Sequence, residues 1–195
     1  MKLVYVTGCF GFIGSYVTRK CLERGWKVYG IDKETYVANT SLYQEFMAHD
    51  NFEYLNVDIK DLDHLYDCDY VINTAAESHV GNSIISSKEF IDSNIVGVQN
   101  LLDLVRNKPI NCNRRPIFFH FSTDEVYGDI VDGEHTETDL LHPSNPYSAA
   151  KAAADTDDGR LSADTGRAAW CRHPLRYAEH RPRACRGGLW GGAVP

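Results

Sequence analysis

No apolar run in this sequence approaches the roughly 18 residues that a membrane-spanning helix needs. The opening Met1-Lys2-Leu3-Val4-Tyr5-Val6-Thr7-Gly8 is too short an apolar run for a signal peptide before it turns into a glycine loop. Positive charge is scarce as well: 20 Lys and Arg stand against 27 Asp and Glu, a net charge of -7. A phosphate-tracking surface needs clustered Lys and Arg, so the balance argues against a nucleic-acid partner. It does not argue against a small anionic ligand, because backbone amides hold phosphate without net positive charge. There is no CxxC. The six cysteines (Cys9, Cys21, Cys68, Cys112, Cys171, Cys185) follow no regular spacing, which reads as reduced thiols in the cytoplasm. Cys171, His173, His180 and Cys185 match no common zinc spacing, so no metal site is expected.

The last 40 residues lack Lys, Ile, Phe, Asn and Gln altogether. Up to Asp155 the chain has 13 basic and 23 acidic residues; from Thr156 it has 7 Arg, 4 acids and much Ala and Gly. No helical or strand periodicity appears there. A flexible basic arm is one reading; an out-of-frame or chimeric end is preferred, since a shifted frame in GC-rich DNA yields this composition. The expected division is a domain at 1–155 and an atypical, poorly ordered tail at 156–195.

Within 1–155 strand and helix signals alternate. Strands are expected at Lys2–Val6, Lys27–Ile31, Phe52–Val57, Asp69–Asn73 and Ile117–Phe121. Helices are expected from Ile13 to Arg24 (Ile13, Val17, Cys21 and Leu22 inward, Gly25 at the C-terminal cap), from Phe90 to Arg106 (Ile91, Ile95, Val98, Leu101, Leu102 and Val105 inward) and from Tyr147 to Asp155. The alternation predicts an α/β, doubly wound parallel sheet of the Rossmann type.

Thr7-Gly8-Cys9-Phe10-Gly11-Phe12-Ile13-Gly14 joins the first strand to the first helix. Gly8 suits a tight turn, Gly11 a close approach to a pyrophosphate, and Gly14 close helix–strand packing. Asp32 follows 18 residues after Gly14, at the end of strand two. There it would accept from both ribose hydroxyls and repel a 2′-phosphate, which favours NAD over NADP; Lys33 beside it softens that repulsion. Asp58 closes strand three, either at the adenine edge or simply as the N-cap of the segment starting at Ile59. Ala75 and Ala76 let backbone pass close to a cofactor, or serve packing alone.

Tyr147 and Lys151, at i and i+4, share a helix face. A tyrosine is a poor base at neutral pH, and a nearby ammonium and a nicotinamide positive charge favour the phenolate. Thr123, Asp124 and Glu125 follow the apolar strand 117–121, where a parallel sheet places its ligands. Adjacent carboxylates in different environments can divide acid and base roles; the alternative is a solvated acidic turn.

These segments, with Asp32-Lys33-x-Thr35-Tyr36, Ala75-Ala76-Glu77-Ser78-His79-Val80, Asn94-Ile95-Val96-Gly97, Ser122 through Gly128 and Pro146-Tyr147-Ser148-Ala149-x-Lys151, resemble the dTDP-glucose 4,6-dehydratases of the extended short-chain dehydrogenase/reductase family. The resemblance runs to about residue 155. Gly81-Asn82 stand where the family usually has Asp-Arg, and Val98 where it often has Thr. The family's sixth strand and C-terminal substrate domain find no match.

The resemblance implies NAD held by Gly8, Phe10, Gly11, Phe12, Ile13, Gly14, Asp32, Lys33, Thr35, Asp58, Ile59, Ala75, Ala76, Ser78, Asn94, Ser122, Tyr147 and Lys151. It implies a nucleotide sugar, dTDP-glucose, at Ser78, His79, Thr123, Asp124, Glu125 and Tyr147. Tyr147 would take the C4 hydroxyl proton, Thr123 would bind the C4 oxygen, Glu125 would remove the C5 proton and Asp124 would protonate the departing C6 hydroxyl. A homodimer through the Phe90–Arg106 and Tyr147–Asp155 helices is expected, and little turnover from this chain alone. A 4-epimerase or decarboxylase of the same fold, and a non-catalytic NAD-binding module, are the competing readings.

Overall fold

The protein is described by a computed structural model at residues 1–107, 115–130, 133–136, 138–165 and 168–171, with side chains described up to residue 156. Among the described residues six parallel strands form one sheet: β1 (Leu3–Thr7), β2 (Lys27–Asp32), β3 (Phe52–Asn56), β4 (Tyr70–Asn73), β5 (Ile117–Phe121) and β6 (Ala168–Cys171). Their order is β3-β2-β1-β4-β5-β6. The direction of winding reverses between β1 and β4, the switch point where such sheets open a ligand crevice. The helices are α1 (Phe12–Glu23), α2 (Tyr43–Met47), α3 (Val80–Ile85), α4 (Lys88–Ile91), α5 (Gly97–Arg106) and α6 (Pro146–Thr165), with a π turn at Asp92–Val96 between α4 and α5.

Strand side chains alternate between faces, and both faces are covered, which is why the strands read as apolar runs. Val4, Val6 and Val28 pack with Cys21 and Leu22 of α1 and Phe46 of α2. Tyr5, Ile31, Val71 and Phe118 pack on the other face with Val98, Leu101, Leu102 and Val105 of α5 and Ala154 of α6. Each such buried side chain contributes roughly 1.5–3 kcal/mol relative to exposure.

The five expected strands form within one or two residues of their expected bounds. Gly25 has φ +70° and donates its N–H to Leu22 O, the expected left-handed stop to α1. The inward face of α1 differs: Gly14, Thr18, Cys21 and Leu22 are buried, while Ile13 and Val17 are only half-buried. The missing side chain of Gly14 lets that face sit down on the loop. The helix expected at Phe90–Arg106 is real but interrupted. The extra residue of the π turn re-phases it, so that Phe90, Ser93 and Asn94 turn inward and Ile91 is 46% exposed.

The largest correction is in the tail. Its composition predicts neither helix nor strand, yet α6 runs on to Thr165 and β6 pairs with β5, Trp170 opposite His120. Ala168-Ala169-Trp170-Cys171 is a short apolar run of the kind a buried strand uses, hidden by its Arg- and Gly-rich surroundings. The sixth strand is therefore present. Residues 172–195, including His173, His180 and Cys185, lie outside the described residues, and so does most of the expectation of a poorly ordered tail. Among the described residues no helix is long and apolar enough to cross a membrane.

Candidate functional site

The glycine loop is shaped by contacts that exclude side chains. Gly8 has φ +67°, and a Cβ on it would lie 2.9 Å from the Ala75 backbone. A Cβ on Gly14 would collide with the Gly8 carbonyl oxygen and come within 2.6 Å of Thr74 Oγ1. Asp32 braces the loop from β2. Its Oδ2 accepts from Phe10 N (3.0 Å) and its Oδ1 from Glu34 N (2.9 Å). Glu34 sits at φ +54°, a left-handed conformation costing an L-residue roughly 1–2 kcal/mol. That cost is offset by the bond to Asp32 and by the Tyr54 hydroxyl, which donates to Glu34 Oε1 at 2.8 Å.

A cleft opens over this loop at the switch point. Gly8, Gly11, Asp32, Lys33, Thr35, Asp58, Ile59, Ala75 and Ala76 all line it, as the sequence led one to expect. Lys33 Nζ donates to Asp58 Oδ2 (3.2 Å) and to Ser93 Oγ (2.8 Å), so it is tied to the far wall. Both readings of Asp58 hold: it lines the cleft, and its Oδ1 caps the short helix at Ile59 by accepting from Lys60 N.

The other expected cofactor residues are placed differently. The Phe10 ring is buried among Phe46, Tyr54 and Tyr43, so only its backbone faces the loop. Phe12 is 74% exposed against Tyr16, on the outside of α1. Ile13, Gly14, Ser78, Asn94, Ser122, Tyr147 and Lys151 do not line this cleft. Ser78 and His79 are exposed beyond β4. Asn94 acts on the wall from behind, accepting from Glu77 N (2.9 Å) and donating to Glu77 O (2.8 Å).

Sequence reasoning missed Glu77 and Ser93 as cleft residues. The Glu77 carboxyl is pushed up by burial, with Lys33 pulling it back. Ser93 carried no signal, because a π turn has no recognised pattern; Glu77 stood inside a quoted segment without a role.

Thr123, Asp124 and Glu125 follow β5 as expected. Thr123 caps a short helix at Asp124–Tyr127, its Oγ1 accepting from Glu125 N at 3.3 Å. The helix stops at Gly128 (φ +91°), where a Cβ would strike the His142 carbonyl. Tyr147 is buried on the first turn of α6, Asn145 at the start of that helix donates Nδ2 to Glu125 Oε2 at 3.1 Å, and Asp124 and Glu125 both act on the phenol electrostatically. The triplet and Tyr147 are therefore together. Ser122 Oγ donates to Asp155 Oδ2 (2.7 Å), joining β5 to α6.

Lys151 departs from expectation. It is 3% exposed, and its Nζ donates to Phe121 O at 2.6 Å and lies 3.3 Å from His120 Nε2. Burial lowers its pKa to about 8, against support from Asp155. For Tyr147, burial and Glu125, with Asp124 and Asp155, raise the pKa, and Thr123 acts against them. In this state the tyrosine holds its proton.

Sheet order and glycine loop make this a Rossmann domain of the dinucleotide-binding class. Comparison with known proteins narrows the class. A family model described as GDP-mannose 4,6 dehydratase matches residues 5–157, and the chain belongs to that family. It is 42% identical over 168 residues to dTDP-glucose 4,6-dehydratase of Neisseria meningitidis, which covers 80% of this chain and 47% of that protein. It is 41% identical over 157 residues to the low-salt glycan biosynthesis protein Agl12 of Haloferax volcanii, covering 78% and 49%. Among solved structures, the dTDP-glucose 4,6-dehydratase DesIV of Streptomyces venezuelae, crystallised with NAD, superposes with TM-score 0.78 at 32% identity, over 88% of this chain and 55% of that one. A UDP-glucuronic acid 4-epimerase of Bacillus cereus, in complex with UDP-glucuronic acid and NAD, gives the same TM-score at 26% identity, over 88% and 56%. The chain spans about half the length of the curated relatives it matches.

Proposed function

We propose that this chain is the cofactor-binding and proton-transferring part of an NAD-dependent dTDP-glucose 4,6-dehydratase, a hydro-lyase giving the 4-keto-6-deoxy sugar. The observation that carries the reading is the Asn145–Glu125 hydrogen bond, Nδ2 donating to Oε2 at 3.1 Å, which ties the acidic turn to the start of α6 two residues before Tyr147. It puts the alcohol-oxidising phenol and the Asp124–Glu125 pair in one site, which a plain dehydrogenase or epimerase does not need.

The cleft fits a dinucleotide. Gly8 and Gly11 line it with backbone alone, which lets a pyrophosphate come close to the loop, and Gly14 keeps α1 packed on that loop. Asp32 keeps lone pairs beyond the two N–H groups it accepts, enough for ribose hydroxyls. Lys33 is tied to Asp58 and Ser93 rather than turned to a 2′-phosphate, which supports NAD over NADP. Phe12, Ile13, Ser78, Asn94 and Ser122 remain proposed cofactor contacts by resemblance.

When bound, NAD supplies the acceptor for hydride from sugar C4 and its donor back to C6. The protein moves the protons. Tyr147 takes the C4 hydroxyl proton, with Thr123 holding the C4 oxygen and Lys151 the ribose side. The ketone so formed acidifies C5–H, which Glu125 removes, and Asp124 protonates the departing C6 hydroxyl. Ser78 and His79 are proposed to meet the sugar nucleotide, and their exposure beyond β4 supports that. A cytoplasmic homodimer is proposed through the segments Phe90–Arg106 and Tyr147–Asp155; exposed Ile91 and Val96 on the first support that face.

Two assays test this. Calorimetric titration of the 195-residue chain with NAD should show binding, and its absence would remove the cofactor reading. Product analysis with dTDP-glucose, on this chain joined to the remaining length of a relative, should give a 4-keto-6-deoxy sugar. A 4-epimer or a decarboxylated product would establish the competing reading.

A further inference from the structure

Four buried polar side chains run in a line under the sheet's carboxyl edge, from α6 to the glycine loop. Thr7, Asn73 and His120 are 0% exposed and lie side by side on β1, β4 and β5; Lys151 is the fourth. Ala75 N–H donates to Thr7 Oγ1 at 3.2 Å, and Thr7 Oγ1 donates to Asn73 Oδ1 at 2.5 Å. Asn73 Nδ2 donates to His120 Nδ1 at 2.9 Å. An imidazole that accepts at Nδ1 carries its proton on Nε2, and Nε2 is the atom 3.3 Å from Lys151 Nζ.

We propose that Thr7, Asn73 and His120 form a hydrogen-bond wire that positions the Lys151 amine and couples its state to the cofactor loop, with His120 as the positioning residue in contact with it. The polarity of the wire follows from its middle. Asn73 turns its carbonyl oxygen to Thr7 and its amide nitrogen to His120, so the Thr7 hydroxyl proton points to Asn73 while Thr7 Oγ1 accepts from Ala75 N–H. The imidazole tautomer is thereby fixed, and Nε2–H is presented to the lone pair of a neutral lysine.

An ammonium at Lys151 has only donors. When Lys151 takes up one proton, the wire must reverse. His120 stays neutral but moves its proton to Nδ1, the Asn73 amide turns over, and Thr7 Oγ1 accepts from both Asn73 and Ala75. The Thr7 hydroxyl proton then loses the acceptor it now has. Asp155, one turn along α6, favours the ammonium, while burial disfavours it; Asp124 and Glu125 act on Tyr147 instead. Burial and Lys151 hold His120 well below the usual imidazole range, so the ring changes tautomer without becoming an imidazolium. Ala75 and Thr7 belong to the walls of the cleft and its loop, so a ligand that shifts their backbone shifts Lys151.

The inference rests on the reading of Lys151 as a member of the site, but its test needs no turnover. The 195-residue chain, labelled with 15N in histidine and 13C in lysine, is titrated by NMR. The Lys151 Cε signal should titrate near pH 8, and the His120 ring nitrogens should exchange protonated and unprotonated roles with the same midpoint. A purely structural His120 would keep one tautomer throughout, and that result, or ionisation of His120 near its ordinary value, overturns the wire. Thr7→Val removes the hydroxyl and with it the penalty of the reversed state, so the Lys151 midpoint should rise by up to about one unit, the scale of one hydrogen bond between neutral groups. An unmoved midpoint in that variant also overturns the coupling. If the variant does not fold, the wild-type titration decides alone. Failure of the dehydratase assay would leave these resonances unchanged.

Discussion

Asn145 reaches Glu125 from the cap of α6. Its Nδ2 donates to Glu125 Oε2 at 3.1 Å while its Oδ1 accepts from Ser148 N at 2.8 Å. One side chain thus satisfies a free helix N–H and fixes a carboxylate beside Tyr147. Pro146 follows it at the first helical position, where a missing N–H costs nothing.

Asn145→Ala should therefore destabilise the chain by about 1 kcal/mol, the usual worth of a lost N-cap. Asn145→Ser keeps a capping oxygen but cannot reach Glu125, and should restore most of that loss. Urea unfolding midpoints of the three proteins check this; equal losses for Ala and Ser would mean that the Glu125 contact, not the cap, carries the stability.

What was legible and what was not follows from how far each constraint reaches along the chain. Gly8, Gly14 and Asp32 could be read because a turn, a close packing and a strand end are local demands. Thr123 to Glu125 and Tyr147 could be placed together because parallel strands deliver their ends to one edge. The line from Thr7 through Asn73 and His120 to Lys151 spans three strands and a helix, and each member alone reads as strand filler. Lys151 and Tyr147 share a helix face as the spacing says, yet their protonation is set by burial, which spacing does not report. The strand β6 escaped because four apolar residues are too short a run to stand out of an Arg- and Gly-rich tail.

Asp32 makes a second test. The chain should bind NAD more tightly than NADP, and Asp32→Ala should narrow the gap. Because Asp32 also holds Phe10 N and Glu34 N, the substitution should weaken NAD binding itself. Calorimetry with both cofactors checks the two effects, and equal wild-type affinities would overturn the assignment.

Gly14 has no room to grow. Gly14→Ala drives a methyl into the Gly8 carbonyl and toward Thr74 Oγ1. Overpacking of this kind costs typically about 1–3 kcal/mol, and here the atom struck is backbone, so the loop must move. The expected outcome is a lower unfolding midpoint together with loss of NAD binding. Gly25→Ala, where a Cβ meets nothing within 4 Å, should leave NAD affinity unchanged and lose stability only through its φ of +70°.

Lys151 should give the folded chain a rising stability with pH. Unfolded, the amine holds its proton to near 10.5; folded, only to about 8. Between those values the unfolded chain binds more protons, so stability climbs with pH, and the penalty is fully present below about pH 8. Its ceiling is of the order of 3 kcal/mol, at about 1.4 kcal/mol per unit. Cys9 and Tyr5, both pushed up by burial, act in the opposite direction from their ordinary values upward. The comparison is therefore the difference between wild type and Lys151→Met. Their unfolding free energies should converge as pH rises from 8 towards 10, and a constant difference would show that the amine is not perturbed.

Division of labour between the two motifs is the last test, in the chain joined to the remaining length of a relative. Glu125→Gln removes the group proposed to take the C5 proton but leaves Tyr147, Thr123 and Lys151 in place. Oxidation at C4 should still occur and then stall, so reduced cofactor should accumulate with a 4-keto hexose that keeps its C6 hydroxyl. Tyr147→Phe removes the acceptor of the C4 hydroxyl proton, so no reduced cofactor should appear at all. Loss of a general acid or base typically costs about 10²–10⁴-fold in rate, well within the range of stopped-flow absorbance. Glutamine at 125 can still be held by the Asn145 amide through its own carbonyl, so the position survives while the charge is lost. Normal turnover of Glu125→Gln, or reduction of the cofactor by Tyr147→Phe at the wild-type rate, would show that the two motifs do not serve separate steps.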